Sequence, residues 1–148
     1  MAIWFAAAPD AAGFKQSTAN TLIEHVGIEF VAATDDALTL SMPVEPRTRQ
    51  PYGLLHGGAS VVLAETLASM GAAATVDPTK ASVVGLEINA NHVRAAREGR
   101  VIGTARPEAI GRTVQVWTIR IVDEQERLIC TSRCTMAVLD RPMLRPGQ

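Results

Sequence analysis

The chain has 148 residues, of which 47% are hydrophobic and 20% are charged, and its formal net charge is −1. This length suits one domain, and the hydrophobic content is enough for a sizeable core. Because the net charge is close to zero and the arginines are dispersed, no basic surface for nucleic acid is expected. We therefore predict one folded unit that does not bind nucleic acid.

The first thirteen residues, MAIWFAAAPDAAG, are mostly small and apolar. No Lys or Arg precedes this run and Pro9-Asp10 interrupts it, so it lacks the basic region of a secretory signal. We interpret residues 1–13 as a short packed or frayed leader of a cytoplasmic protein. A short helix is then predicted from Ser17 to His25, with a Ser or Thr cap and with His25 near its end, where a positive charge is favourable.

Two strands are predicted next, from Ile28 to Ala33 and from Leu38 to Val44, joined by a turn at Asp35-Asp36. Apolar and polar residues alternate in the second strand, so the hairpin should bury one face. Prolines at positions 43, 46 and 51 should stiffen the following loop, which carries Gln50. The Gln50 amide could donate to a carbonyl, although a glutamine on a surface loop is the ordinary interpretation.

The longest predicted helix lies within QPYGLLHGGASVVLAETLASMGAAA, which spans Gln50 to Ala74. It begins on the HGG segment, and from Ala59 to Val76 it has no proline and many strong helix formers. Small residues occur on all sides, so a sheet could cover the whole helix closely. Polar residues interrupt the apolar run, which argues against a membrane span.

Glu65 is the one acidic residue on this helix. None of its same-face neighbours is a cation; they are Val61, Val62, Ala68 and Ser69. A buried carboxylate without an ion pair is costly and is typical of a functional group. A solvent-facing glutamate is an equally open alternative.

The start of the helix suits a negatively charged oxygen. Gly57 and Gly58 let a ligand approach the backbone, and the first N–H groups of a helix have no intrahelical partner. Glu65 lies about 10 Å further along the axis. A site that uses both features would therefore need a second subunit or a bent approach.

A long strand is predicted from Ser82 to Arg97, and its residues on one face are Val84, Leu86, Ile88, Ala90, His92 and Arg94. The basic end could bind the phosphates of a nucleotide carrier, or it could simply be a solvated strand end.

Three further strands are predicted, at Val101 to Arg106, Thr113 to Val122 and Leu128 to Val138, with turns at Glu108 to Arg112 and at Asp123 to Glu126. All are expected to be antiparallel. In the second of them one face alternates against the other, with Gln115, Trp117, Ile119 and Ile121 on one and Val114, Val116, Thr118 and Arg120 on the other. The apolar face of the last strand is formed by Leu128, Cys130, Ser132, Cys134, Met136 and Val138. Arg141 to Gln148 is interpreted as a loose tail.

Neither a disulfide nor a metal site is predicted. Cys130 and Cys134 lie in one strand about 13 Å apart, too far for a disulfide, so they are interpreted as reduced core residues. The histidines, at positions 25, 56 and 92, are scattered and match no zinc motif. No cofactor is expected.

Two long segments, RTRQPYGLLHGGASVVLAETLAS and VVGLEINANHVRAAREGRV, resemble the hotdog-fold acyl-CoA thioesterases. The similar branch includes 1,4-dihydroxy-2-naphthoyl-CoA thioesterase of menaquinone synthesis and the proofreading thioesterase of the enterobactin pathway. The resemblance extends from about Val26 to Leu139. It implies an α+β hotdog fold, with a five- to six-stranded antiparallel sheet around a long central helix. It also implies a dimer of dimers whose active site crosses the dimer interface.

The resemblance further implies hydrolysis of aromatic acyl-CoA thioesters, and it gives the matching residues roles. The Gly57 N–H would polarise the thioester carbonyl, which Gln50 and His56 would orient. Glu65 would act as nucleophile or as general base on water, and Ser69 would bond to that carboxylate or to the water. The implied acyl or CoA groove is lined by Gly85, His92, Val93, Arg94, Ala95, Ala109, Ile110, Gly111, Arg112, Thr113 and Val114.

Other functions remain open at this point. A proofreading enzyme acting on an aryl or acyl carrier protein would need a docking surface that sequence does not show. A non-catalytic acyl-CoA sensor would need an effector segment, and no helix-turn-helix pattern flanks the domain. A hotdog dehydratase would need a different arrangement of histidine and acid.

Overall fold

The computed structural model describes residues 1–144. Within them, the helices and strands in chain order are α1 (Ala11–Thr18), α2 (Leu22–His25), β1 (Glu29–Ala33), β2 (Leu38–Pro43), α3 (Gly57–Ala74), β3 (Ser82–His92), β4 (Arg100–Ile110), β5 (Val114–Asp123) and β6 (Leu128–Leu139).

The strands form one six-stranded sheet in the order β1-β2-β4-β5-β6-β3. Every neighbouring pair is antiparallel, and β1 and β3 are the two edge strands. Helix α3 packs against all the strands from β2 to β6. This is the hotdog architecture that the resemblance implies, and it confirms the predicted sheet around a long central helix.

Local hydrogen bonds set the two ends of α3. His56 caps its start, because the His56 side chain accepts from the Gly58 N–H at 2.8 Å. The helix ends at Ala74, since the Thr75 N–H and hydroxyl both donate to the Ala72 carbonyl, at 3.1 and 2.8 Å. Its length and mean hydropathy of 1.2 would suit a membrane span, but 44% of its residues are buried in the fold. It is the core helix of this domain.

The core lies between α3 and the inner face of the sheet. Alternate residues of β5 point inward and are buried, as predicted: Gln115, Trp117, Ile119 and Ile121. The polar atoms on this face are satisfied, because the Trp117 ring N–H donates to Gln115 at 2.9 Å. The Gln115 amide in turn donates to the Thr75 hydroxyl at 2.9 Å. This buried chain ties the centre of the sheet to the end of α3.

Cys130 and Cys134 are both buried and free, which confirms their interpretation as reduced core residues. Burial, followed by the negative charges of Glu65 and Glu87, raises the pKa of the Cys134 thiol to about 11. The thiol is therefore protonated at neutral pH and is a poor nucleophile.

The predicted helix from Ser17 to His25 is wrong in its boundaries. Asp10 caps α1 by accepting from the Gly13 N–H at 2.7 Å, so the helix starts inside the predicted leader, at residue 11. The helical conformation is then interrupted at Asn20, whose φ is 59°. His25 does lie in the last turn of α2, as predicted.

Part of the remaining leader is packed against the domain. Trp4 is buried, and its ring N–H donates to the Thr34 carbonyl at 2.7 Å. The Phe5 N–H donates to the Ala74 carbonyl at 2.9 Å, so the leader closes over the end of α3.

The predicted face of β3 needs correction. The register with β6 shifts between Gly85 and Glu87, so Leu86 is the extra residue of a β-bulge and is 61% exposed. One extra residue in a strand reverses the alternation of its side chains between the two faces of the sheet. Val84 and Leu86 therefore do not lie on the face that carries Ile88, Ala90 and His92.

The end of β3 also differs from the prediction. The strand ends at His92 and does not continue to Arg97. The Val93 and Arg94 N–H groups both donate to the Ile129 carbonyl, at 2.9 and 3.3 Å, which turns the chain out of the ladder.

The predicted turn at Glu108 to Arg112 is shorter in the structure. Strand β4 continues to Ile110 through a register shift between Pro107 and Ala109. The turn is closed by the Gly111 N–H, which donates to the Val114 carbonyl at 2.9 Å. Of the predicted loose tail, residues 141–144 are exposed and outside the strands. Residues 145–148 lie outside the described residues.

Candidate active site

A first cleft, which we call the helix-start cleft, opens at the beginning of α3 and has a volume of about 390 Å³. It brings together three of the predicted positions, namely Gln50, Gly57 and the segment from His92 to Ala95. The sequence alone did not indicate its other lining residues, which are Leu54, Leu55, Ser60 and Ile129.

The loop that carries Gln50 is held by a tight turn. The Gln50 N–H donates to the Leu54 carbonyl at 2.8 Å, and the Gly53 N–H donates back to the Gln50 carbonyl at 2.9 Å. Gly53 has a φ of 80°, which favours glycine. The Gln50 side-chain oxygen accepts from the Tyr52 N–H. The oxygen of this amide is thereby engaged, which leaves the NH₂ group of a cleft-lining side chain to act as the donor.

The backbone N–H of Gly57 is the principal donor at the helix start. His56 accepts through Nδ1, so a neutral His56 carries its proton on Nε2. The Gly57 N–H donates to no atom of residues 1–144. A β-carbon at this position would lie 2.9 Å from Nε2 of His92, so only glycine lets that ring rest against the helix. The free N–H and the helix dipole together suit a developing oxyanion.

A second cleft, which we call the Glu65 cleft, lies further along α3 and has a volume of about 270 Å³. Glu65 and Ser69 both line it, as their helical spacing predicted. The remaining lining residues are Leu22, Ile23, Val62, Thr66 and Met70. Ala68, predicted on the same face as Glu65, is instead fully buried in the core.

The Glu65 carboxylate lies directly against the backbone of β3. A β-carbon on Gly85 would stand 2.5 Å from Oε1 of Glu65, closer than real atoms approach. Glu65 is partly buried and forms no ion pair within residues 1–144. It is thus neither a freely solvated glutamate nor half of a salt bridge, and Gly85 provides the space for its carboxylate.

Within one chain the two clefts are separate. Gly85 and His92 lie on the same strand, and the strand rises about 20 Å between them. Val114 pairs with Ala137, which in turn pairs with Val84, so the turn at residues 109–114 lies near the Gly85 end. One chain therefore does not bring this turn together with His92 to Ala95.

No group of three or more potential metal ligands lies close together in the described part of the chain, residues 1–144. The chemistry available in the two clefts comes from a carboxylate, a hydroxyl, amide and imidazole donors and a helix N-terminus. A carboxylate combined with an oxyanion site is suited to hydrolysis of an activated acyl group.

Gly85→Ala is expected to lower kcat by up to roughly a hundredfold, because the new methyl group must displace the Glu65 carboxylate. Thiol release from a thioester substrate measures the effect. In a Glu65→Gln background, Gly85→Ala should lower kcat little further, since the side chain that it displaces no longer carries the active carboxylate. Equal losses in both backgrounds would show that Gly85 acts independently of Glu65.

The fold and the clefts define a thioester hydrolase of the hotdog class, and the comparisons with known proteins agree. The family model described as the thioesterase superfamily matches residues 52–130. The chain belongs to this family and is a thioesterase.

Named relatives are similar over most of the chain. 1,4-Dihydroxy-2-naphthoyl-CoA hydrolase of Escherichia coli is 52% identical over 120 residues, which is 81% of this chain and 88% of the relative. Proofreading thioesterase EntH of Cronobacter turicensis is 50% identical over 123 residues, 83% of this chain and 89% of the relative. The crystal structure of a variant thioesterase from Pseudomonas aeruginosa has a TM-score of 0.91 and 47% identity, covering 93% of this chain and 99% of that one.

Proposed function

We propose that the protein hydrolyses aromatic acyl-CoA thioesters at a site shared between two copies of the chain. The main observation is that the oxyanion donors and the carboxylate lie in separate clefts at opposite ends of the same edge strand, β3. Neither cleft alone holds both groups that the reaction requires.

The free edge of β3 explains how a second copy would complete the site. This strand is eleven residues long, lies at the sheet edge and exposes Leu86. A long exposed edge favours pairing with another strand. Antiparallel pairing about a two-fold axis would place the His92 end of one β3 beside the Gly85 end of the other. The Gly57 N–H of one copy would then face Glu65 of the second copy.

The chemistry follows from this arrangement. The thioester carbonyl oxygen accepts from the Gly57 N–H, and the amide of Gln50 and the imidazole of His56 orient the substrate. Glu65 supplies the attack on the carbonyl carbon, as a nucleophile or by taking a proton from water, and Ser69 bonds to the carboxylate or the water. In the general-base route, Glu65 takes a proton from water, the water oxygen forms the C–O bond, the C–S bond breaks, and the proton passes from Glu65 to the departing thiolate. In the nucleophilic route, a Glu65 oxygen forms the C–O bond as the C–S bond breaks, and water then cleaves the resulting anhydride, which frees the acid, regenerates the carboxylate and supplies the proton for the thiolate. The products are a free acid and a thiol.

The relatives support this choice of substrate. The similar Escherichia coli protein is a 1,4-dihydroxy-2-naphthoyl-CoA hydrolase by name, and the Glu65 cleft is compact and largely apolar. Arg94 and Ala95, in the helix-start cleft, and the turn at 109–114 are proposed to line the acyl or CoA groove. The similarity to a proofreading thioesterase favours an aryl or acyl carrier protein as the second candidate thiol partner. We further propose a dimer of dimers in the cytoplasm.

The test is thiol release from a panel of thioesters, with dihydroxynaphthoyl-CoA and benzoyl-CoA beside straight-chain acyl-CoA. We expect the aromatic esters to have the higher kcat/KM. Turnover of the same aryl group only when it is carried on a carrier protein would favour the second candidate. Faster turnover of the straight-chain esters would contradict the proposed substrate class.

A further inference from the structure

The two clefts differ in chemical character. This difference indicates which half of the substrate each cleft would bind. The helix-start cleft presents amide, imidazole and guanidinium groups beside its apolar residues, and this mixture suits the polar arm of a thiol carrier. Beyond its carboxylate and hydroxyls, the Glu65 cleft is lined by Leu22, Ile23, Val62 and Met70. An apolar lining beside the attacking group suits the acyl half of the substrate.

Two of these apolar residues come from α2 and not from the helix that carries Glu65. Leu22 is 57% exposed although it lines the cleft, so an occupant would cover apolar surface that the chain leaves open. Ile23 is partly buried and packs against the core. The wall is preformed, because the Val26 N–H donates to the Leu22 carbonyl at 3.0 Å and the Ile28 N–H donates to the Ile23 carbonyl at 3.1 Å.

We propose that Leu22 and Ile23 form the wall of the acyl pocket that faces Glu65, and that Leu22 sets the size of the acyl group accepted. This inference rests on the proposed function and adds a specificity-determining residue to it. The cleft volume of about 270 Å³ lies slightly below the common range for small-molecule pockets. A compact ring system therefore suits this cleft, whereas an extended chain would reach beyond it, past the exposed side chain of Leu22.

The experiment compares Leu22→Ala and Leu22→Trp with the wild-type protein on benzoyl-CoA, octanoyl-CoA and acetyl-CoA. Leu22→Ala should raise the ratio of octanoyl to benzoyl kcat/KM by about fivefold or more, because removing methylene-sized groups from an apolar pocket changes discrimination on this scale. Leu22→Trp should narrow the pocket and lower kcat/KM for octanoyl-CoA relative to acetyl-CoA by about tenfold. A general loss of stability would not move these ratios.

Val31 provides the matched control, since it is 50% exposed and lies on β1, at the opposite edge of the sheet. Val31→Ala and Val31→Trp should leave the ratios at their wild-type values. Unchanged ratios in both Leu22 variants would overturn the inference.

Binding of non-hydrolysable thioether analogues, measured by calorimetry, gives a readout that does not depend on turnover. If the wild-type protein hydrolyses no thioester, the proposed function fails. The ratio of the Kd values for the octanoyl and benzoyl analogues then tests the Leu22 wall separately. If neither Leu22→Ala nor Leu22→Trp changes this ratio of Kd values, the assignment of Leu22 to the wall of the acyl pocket is overturned as well.

Discussion

Glu65→Gln is expected to lower kcat by at least about a hundredfold while the protein stays folded. Glutamine keeps the shape of the side chain, but it can neither take a proton from water nor attack as a carboxylate. The space beside Gly85 accepts an amide as readily as a carboxylate, so the fold should be preserved. Thiol release under saturating substrate measures kcat, and circular dichroism with thermal unfolding checks the fold.

Glu87→Gln is the matched control, because it makes the same change of charge on β3, the strand against which the Glu65 carboxylate lies. The Glu87 carboxylate is exposed and accepts from the Asn89 amide at 3.1 and 3.2 Å, away from both clefts. This variant should retain wild-type turnover. Normal turnover by Glu65→Gln would disprove the assignment of the catalytic acid.

Gly57→Pro is expected to cause the second large loss, because proline removes the backbone N–H that would polarise the carbonyl. The first position of a helix tolerates proline. His56, the preceding residue, already has an extended backbone with ψ of 132°, as a residue before proline requires. The helix should therefore form normally without its principal oxyanion donor.

Gly57→Ala separates the loss of the N–H from the effect of added bulk. Alanine keeps the N–H, but it adds the same β-carbon that would lie 2.9 Å from Nε2 of His92. We expect the kcat of the proline variant to lie about 10²- to 10³-fold below that of the alanine variant, the scale of losing one oxyanion donor. Equal activities would show that the Gly57 N–H does not act on the substrate.

A mixture of the two inactive variants tests whether the site is shared. After unfolding and refolding together, Glu65→Gln and Gly57→Pro chains should form mixed dimers in which one site combines two intact halves. Activity in the mixture should rise well above the residual activity of either variant refolded alone. A site built within one chain would give no recovery.

Several parts of this structure were predictable because they depend on neighbours in sequence. The composition between Ala59 and Val76 favours a helix, and the observed α3 differs from that prediction by only two residues at each end. The alternation of apolar residues correctly gave the buried faces of β5 and β6. The cap residue His56 was recognised as part of the helix start but not as its hydrogen-bonding cap.

Other features depend on contacts between segments that are distant in the chain. The sequence did not predict these features. The bulge at Leu86 changes the face of β3 through its register with β6. Leu22 and Ile23 reach the Glu65 cleft only because α2 packs beside α3. No periodicity in a local window carries such information, since these partners are forty or more residues apart in the chain.

By itself the sequence determined the central helix, its single carboxylate, the glycine-rich helix start and the family to which the chain belongs. Only the tertiary structure decided where those groups lie relative to each other. It placed the Glu65 carboxylate against Gly85 and the Gly57 N–H beside His92, towards opposite ends of β3, an edge strand whose outer side pairs with no strand of residues 1–144. The reason is physical: helix propensity and capping act within a few residues, whereas strand register and close approach of backbones are set by packing across the whole sheet.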